Sequence, residues 1–382
     1  MSKQTVGSGG AVDGDVAVAL GAAQKISTIR DAAKRAFIGR NDAIDTLAAC
    51  VVAGEHAILL GPPGTAKSAL VRFWADAMGL AFFRRVLNPD TTREDLIGPL
   101  DPSGLKETPA RWDRAWAGLA TSDFALLDEV GKASNQVLNM LLDAMEERRV
   151  TSGNTDREIP LHLAIGATNE TLSEDVEAIW DRFTVRIVVG YLQNAGDFIR
   201  LLTDTNEPAP SVPITRAELA TMRGVARHMA AHPTQSVLET MAKLYSRHKN
   251  VTEHRVSDRR WKKLLIVAAG RALLQGRTEI AAQDLIVGGH ILWTHLDAIK
   301  AIQQYVRETV DEEGAEIAAF GALVAELVEQ GSVASNLAER AKVSWRADKL
   351  LKEIAHKSGR PEWDDFRDAL KAAKDGVLRD EA

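Results

Sequence analysis

Apolar positions along the 382-residue chain fall into two regimes. Between about residues 40 and 190, short apolar runs alternate with segments whose apolar positions recur every three or four residues. The runs at 57–60, 80–87, 123–130, 161–167 and 184–189 read as strands buried in a sheet. The segments at 43–52, 67–78, 134–147 and 176–180 read as helices. Such alternation predicts a doubly wound parallel sheet. Residues 148–151 and 158–160 flank a polar stretch and predict a β-hairpin. Beyond Asp204 the pattern changes. Pro208, Pro210 and Pro213 mark a linker, and helical periodicity follows over 215–231, 235–249, 258–275, 281–288 and 292–312. The tail, 313–382, continues in charged helices broken near Gly331 and at 359–361. The Gly-, Ala- and Ser-rich start reads as a loose arm, with a helix from Ile26 to Ala36. The expected organisation is therefore an arm (1–24), an α/β core (25–205), an all-α domain (206–300) and a helical extension (301–382).

Candidate chemistry gathers where predicted strands end. After 57–60 the chain reads Gly61, Pro62, Pro63, Gly64, Thr65, Ala66, Lys67, Ser68, Ala69 and then turns helical. Strand, glycine-bearing loop and helix are what a phosphate-binding loop requires: backbone N–H groups wrap an anion at a helix N-terminus. In that reading Lys67 reaches the β- and γ-phosphates of ATP and the Ser68 hydroxyl holds Mg²⁺. Ala66 departs from the general pattern, which has glycine before the lysine. The strand at 123–130 ends in Asp128 and Glu129, a pair suited to holding Mg²⁺ and polarising the attacking water. The bland alternative is a solvated strand end. Asn169 follows a further strand, where an amide can hold both γ-phosphate and water; alone, Thr168-Asn169-Glu170 is an ordinary turn and helix cap.

Composition narrows the function classes. Hydrophobic residues make up 45% and charged residues 26%, ordinary for a globular chain, and the net charge of −6 gives no pull toward nucleic acid. The single cysteine, Cys50, excludes an intramolecular disulfide and sits in an apolar run that reads as core. No apolar run approaches the roughly 20 residues of a membrane span. Asp13 and Asp15 interrupt the N-terminal apolar stretch, so a cytoplasmic location is expected rather than export. Trp112 and Trp116, four apart, read as packing residues, and Trp261 as core of the helical domain. His228 and His232 share a helix face but lack a third metal ligand.

Together, G-P-P-G-T-A-K-S, F-A-L-L-D-E-V, G-A-T-N-E, W-D-R-F and S-D-R-R-W-K-K, in this order, resemble the MoxR family of AAA+ ATPases, and its RavA-like branch in particular. The resemblance covers about residues 25–300. It also accounts for Ala66, because alanine before the lysine is common in that family. It implies an AAA+ P-loop core with a parallel sheet, an all-α lid and a further helical region. It makes Lys67 and Ser68 Walker A, Asp128 and Glu129 Walker B, and Asn169 sensor 1. Arg182 matches the arginine finger that enters a neighbour's site. Arg259 matches sensor 2, expected to act from the lid on its own subunit's nucleotide. Arg186 and Arg260 are the neighbours that could exchange roles with them. The stretch 96–119 matches the family's helix 2 insert, and 148–160 its pre-sensor 1 hairpin; each is either a partner-engaging element or a solvent-exposed loop. The family implies a homo-hexamer that remodels or matures a partner, often a von Willebrand factor A domain protein. A nucleic-acid motor and a nucleotide-switched scaffold are the alternatives in other classes.

Overall fold

The computed structural model describes residues 9–103, 113–152, 155–169, 177–203, 208–334, 336–358 and 360–379. Parts of three expected features lie outside these residues: 104–112 of the insert, including Trp112; the hairpin tip at 153–154; and the turn at 170–176. The chain forms two compact units, Met1–Val306 and Arg307–Ala382.

The first unit opens with α1 (Gly9–Ala36), α2 (Asn41–Ala53), β1 (Ala57–Leu60), α3 (Lys67–Met78), β2 (Phe82–Val86) and α4 (Arg93–Ile97). Next come β3 (Leu100–Asp101), β4 (Asp113–Arg114), β5 (Phe124–Asp128), α5 (Asn135–Glu147), β6 (Arg149–Ser152) and β7 (Thr155–Glu158). The core ends with β8 (Leu163–Thr168), α6 (Glu177–Arg182), β9 (Val185–Val188) and α7 (Ala195–Thr203). Three lid helices follow: α8 (Arg216–Ala231), α9 (Gln235–Val251) and α10 (Asp258–Leu274). A 3₁₀ segment, Ala282–His290, leads to α11 (Ile299–Val310), within which the boundary between the units falls.

Five strands form a parallel sheet in the order β2-β5-β8-β1-β9. Parallel pairing needs a crossover between strands, which puts helices on both faces and buries the inner strands. That burial is why β1 is apolar throughout and β8 up to its last residue, Thr168, whereas β2 at one edge leaves Arg84 and Val86 exposed. Between β2 and β5 the chain makes α4 and the small antiparallel ribbon β3–β4. The hairpin β6–β7 follows α5. Insert and hairpin touch: the Arg157 guanidinium lies 5.2 Å from the Trp116 ring centroid, and Arg114 Nε donates to Ser152 Oγ at 3.0 Å.

Three differences from the sequence reading concern helices. The expected arm is helical from Gly9, continuous with the segment that starts at Ile26. Ala19, Ala22, Ala23, Ile26, Ile29 and Ala33 form one buried stripe at helical spacing, and Lys25 pairs with Glu218 of α8 at 2.7 Å. Alanine is the best helix former, so a small-residue segment that looks loose becomes rigid once a partner covers it. Helix α7 lies in a stretch for which no element is expected. The single helix expected over 292–312 begins only at Ile299. Lid and core meet closely. A Cβ at Gly270 of α10 would run into the Ala49 carbonyl of α2, so glycine there lets the two backbones approach.

The second unit is built from α12 (Glu312–Val333), α13 (Leu337–Glu353) and α14 (Pro361–Arg379). They enclose Phe320, Leu327, Ala347, Leu350, Ile354, Trp363 and Leu370. Arg360 joins the start of α14 to the Asp311 cap of α12 at 2.6 Å. Among the described residues no helix is long and apolar enough to cross a membrane.

Candidate active site

The carboxyl ends of β1, β5 and β8 lie side by side, and each delivers one part of the site. β1 delivers the loop. Gly61 donates its N–H to the Thr168 carbonyl of β8 at 3.2 Å, with φ of 157°. Any side chain at this position would collide with the Val189 carbonyl, so glycine is required. Thr65, buried, braces the loop by donating to the Pro62 carbonyl at 3.0 Å, while Pro63, Gly64 and Ala69 face solvent.

Ala66 turns the loop into α3 with φ 65° and ψ 20°, in the left-handed region. The phosphate-loop pattern has glycine at this position, and the backbone shows why. Alanine reaches the same conformation only by bringing Cβ toward the following carbonyl, at about 1–2 kcal/mol. Glu129 is also left-handed, at φ 54°, where β5 breaks into a 3₁₀ turn. Two of the three described non-glycine residues with positive φ therefore belong to this site.

Lys67 is 8% exposed, and its ammonium donates to the Gly61 carbonyl (2.6 Å), the Pro62 carbonyl (2.9 Å) and Asn169 Oδ1 (2.8 Å). Burial lowers its pKa, and the carboxylates of Asp128 and Glu129 oppose that shift. Asn169 passes the chain on, donating Nδ2–H to Glu129 Oε1 at 2.8 Å. Lysine only donates and an ionised carboxylate only accepts, so these two partners fix which way the Asn169 amide faces. Glu129 also pairs with Lys132 at 3.3 Å. Beside this chain, Ser68 Oγ donates to Asp128 Oδ2 at 3.0 Å, and Arg84 donates to the same oxygen at 3.0 Å. The structure thus brings Lys67, Ser68, Asp128, Glu129 and Asn169 together.

The arginines stand elsewhere. Arg182, ending α6, lies 3.6 Å from Glu146 Oε2, and Arg259, in the first turn of α10, pairs with the same oxygen. Glu146 sits in the last turn of α5, next to Met145, whose carbonyl bonds His56 Nε2 at 2.9 Å. His56 immediately precedes β1, and its carbonyl accepts from the N–H of Val185, which starts β9. Glu146 and its two arginines therefore occupy the amino-terminal edge of the sheet. The loop after β1 leaves the opposite edge of the sheet. Arg259, expected to act from the lid on its own subunit's nucleotide, here pairs with Glu146. The lid helix α10 brings Arg259 beside Arg182, both on Glu146 of α5.

Arg186 and Arg260, the neighbours that could exchange roles with them, have different surroundings. Both are buried at 2% exposure. Arg186 donates to the carbonyls of Trp293 (2.8 Å) and Trp180 (3.1 Å). Arg260 donates to the Ile291 carbonyl, to the Trp293 carbonyl at 2.6 Å and to Thr294 Oγ1 at 3.3 Å. Burial holds the Arg260 pKa well below its usual value; Arg186 adds to this and Asp181 opposes it. These guanidiniums cap carbonyls of the helical domain and, for Arg186, of α6. Arg182 and Arg259, about 30% exposed, are the pair that another molecule could reach.

Other singled-out residues have structural partners. Trp261 packs edge-on against Tyr245 and His248, and His232 Nδ1 bonds the His228 carbonyl at 2.9 Å. Cys50 is fully buried, which pushes its thiol pKa up. Sequence reasoning missed Arg84, Lys132 and Glu146. The Arg84-Arg85 pair on an edge strand is the one signal available, since alternation sends one of the two toward Asp128.

Comparison with known proteins agrees with this architecture. Residues 24–209 match the family model described as the MoxR domain in the MoxR-vWA-beta-propeller ternary systems, and residues 236–306 match an AAA lid domain. An uncharacterised protein of Methanocaldococcus jannaschii is 32% identical over 284 residues, 74% of this chain and 73% of that one. Chaperone MoxR1 of Mycobacterium tuberculosis is 25% identical over 70% of this chain and 74% of its own. A crystal structure from Cytophaga hutchinsonii, assigned as an ATPase, shares the fold with TM-score 0.60 at 21% identity, covering 79% of this chain and 98% of that one. With a glycine-bearing loop, paired acids and the Asn169 amide converging on one sheet edge and a match to an AAA lid domain, the chain belongs to the MoxR family of AAA+ ATPases.

Proposed function

We propose that this chain hydrolyses Mg²⁺-ATP at a site shared between neighbouring copies of a homo-hexameric ring, and uses turnover to remodel or mature a partner protein. The observation that carries the catalytic part is the linked set Lys67–Asn169–Glu129 beside Ser68–Asp128. Ser68 Oγ and Asp128 Oδ2, 3.0 Å apart, are hard oxygen donors of the kind Mg²⁺ takes. The Gly61–Ala66 backbone and the first turn of α3 would hold the phosphates. Bound Mg²⁺ would neutralise charge on the phosphoryl oxygens. Lys67 trades the Gly61 and Pro62 carbonyls for phosphate oxygens. Glu129, held by Asn169, accepts the proton of the attacking water.

Charge on the transferring group still needs a cation from the far side, and that cation comes from the next subunit. Because Arg182 and Arg259 share Glu146, both are presented together to a neighbour's loop. Head-to-tail contacts of this kind generate a ring when the rotation between copies closes. An arginine finger is typically worth about 10³–10⁵ in rate.

A protein client is favoured by the chaperone relative and by the family model, whose description names vWA and β-propeller partners. A von Willebrand factor A domain protein is the partner proposed. The joined surface of insert and hairpin, with Arg157 over Trp116, is the region offered to it. RavA-like placement and a cytoplasmic location belong to the same proposal.

Glu129→Gln tests the catalytic reading. It should abolish hydrolysis while leaving nucleotide binding and assembly intact. Equal near-zero rates in wild type and variant would mean a nucleotide-switched scaffold instead.

A further inference from the structure

We propose that Arg84 competes with a divalent cation for Asp128 and so sets the Mg²⁺ concentration at which the site loads. This rests on the reading above, that Ser68 and Asp128 hold Mg²⁺. Arg84 and Arg85 are consecutive on edge strand β2 and therefore point to opposite faces. Arg85 pairs with Asp95 of α4 at 2.8 Å, away from the site. Arg84 turns the other way. Its register partner on β5 is Leu126, while Asp128 stands opposite Val86. Arg84 thus reaches diagonally, two residues toward the carboxyl edge, a span that a long side chain covers.

Asp128 Oδ2 accepts from both Ser68 Oγ and the Arg84 guanidinium, each at 3.0 Å. The two donors differ in what they do when a cation arrives. A hydroxyl rotates its proton away and offers a lone pair, so Ser68 stays as a ligand. A guanidinium has no lone pair to offer and carries a fixed positive charge. Mg²⁺ binds carboxylate oxygen at about 2.0–2.1 Å and demands a near-octahedral shell. A guanidinium nitrogen at 3.0 Å from that oxygen crowds the shell and repels the ion. Arg84 must swing off Asp128 for the ion to enter. It has room to do so, since its side chain is 48% exposed while that of Asp128 is 16% exposed. The ion pair thus holds the carboxylate in place and makes cation entry an exchange of charges.

The test is Mg²⁺ titration of fluorescent ADP binding on the full chain, comparing wild type with Arg84→Gln and the opposite-face control Arg85→Gln. Arg84→Gln should lower the Mg²⁺ concentration for half-maximal binding by about two- to fivefold, the scale of an exposed ion pair. ADP affinity in EDTA should stay unchanged, and Arg85→Gln should behave as wild type. An unshifted Mg²⁺ midpoint in Arg84→Gln overturns the proposal. So does weaker ADP binding in EDTA, which would make Arg84 a phosphate contact. If wild-type binding does not depend on Mg²⁺ at all, the underlying site reading fails with it.

Discussion

Replacing Ala66 with glycine removes a Cβ from a backbone held at φ 65° and ψ 20°. In this region the Cβ presses on the following carbonyl, at about 1–2 kcal/mol. Glycine also makes the unfolded chain more mobile, which takes back about 0.4–1 kcal/mol. The net expectation for Ala66→Gly is a gain of about 0.5–1 kcal/mol, or a rise of a few degrees at most in Tm for a unit of this size. Ala66→Val should go the other way, by about 1 kcal/mol or more, because a β-branched residue is a true outlier at positive φ. Urea unfolding in EDTA without nucleotide is the right assay, since bound ligand would mask the difference by mass action. If Ala66→Gly is less stable than wild type, or Ala66→Val is as stable, the loop does not hold the strain described here.

Two further outcomes follow from buried groups. His162 is fully buried, and burial lowers its pKa to about 3, with Arg148 and Arg223 adding to the shift. The folded state keeps this histidine neutral while the unfolded chain protonates it near 6.5, so stability falls as pH drops from about 6.5 toward 3. At up to about 1.4 kcal/mol per pH unit, His162 alone costs about 2 kcal/mol between pH 6.5 and 5. His162→Gln should flatten that part of a urea-midpoint profile; an unchanged slope would remove His162 as the cause. In the second unit, Trp363 is 1% exposed at the centre of the helical core. Trp363→Ala should cost about 3–5 kcal/mol, read as an earlier unfolding transition of the full chain. A shift below about 1 kcal/mol would contradict its role as the core residue.

Much of the sheet was legible because a parallel strand buried on both faces has to be apolar from end to end. Ala57–Leu60 and Phe124–Leu127 meet that condition, and the acids after the second run could only lie at a strand end. That Lys67, Asp128, Glu129 and Asn169 would meet could be read for the same reason, since each follows such a run. Helix α1 was hidden because its stability comes from α8 and α2 covering an alanine stripe, not from strong local periodicity. The four arginines show the limit most clearly. Arg182 and Arg186 are four residues apart, Arg259 and Arg260 adjacent, and composition cannot separate a buried guanidinium capping lid carbonyls from one presented to solvent. Which edge of the sheet α10 meets is a tertiary fact, and it sets Arg259 beside Arg182 on Glu146.

The shared site is tested most directly by mixing subunits that are inactive for different reasons. Arg259→Ala retains Lys67 but lacks the lid arginine; Lys67→Ala retains Arg259 but cannot bind phosphate. If Arg259 acts on a neighbour, equal mixing of the two should restore turnover at about a quarter of the sites in a head-to-tail ring. The same recovery should appear with Arg182→Ala in place of Arg259→Ala. If Arg259 served its own nucleotide, every subunit in the first mixture would remain defective. Recovery in both mixtures is the predicted result. Recovery with Arg182→Ala alone, in rings shown to contain both subunits, would contradict the pairing of the two arginines.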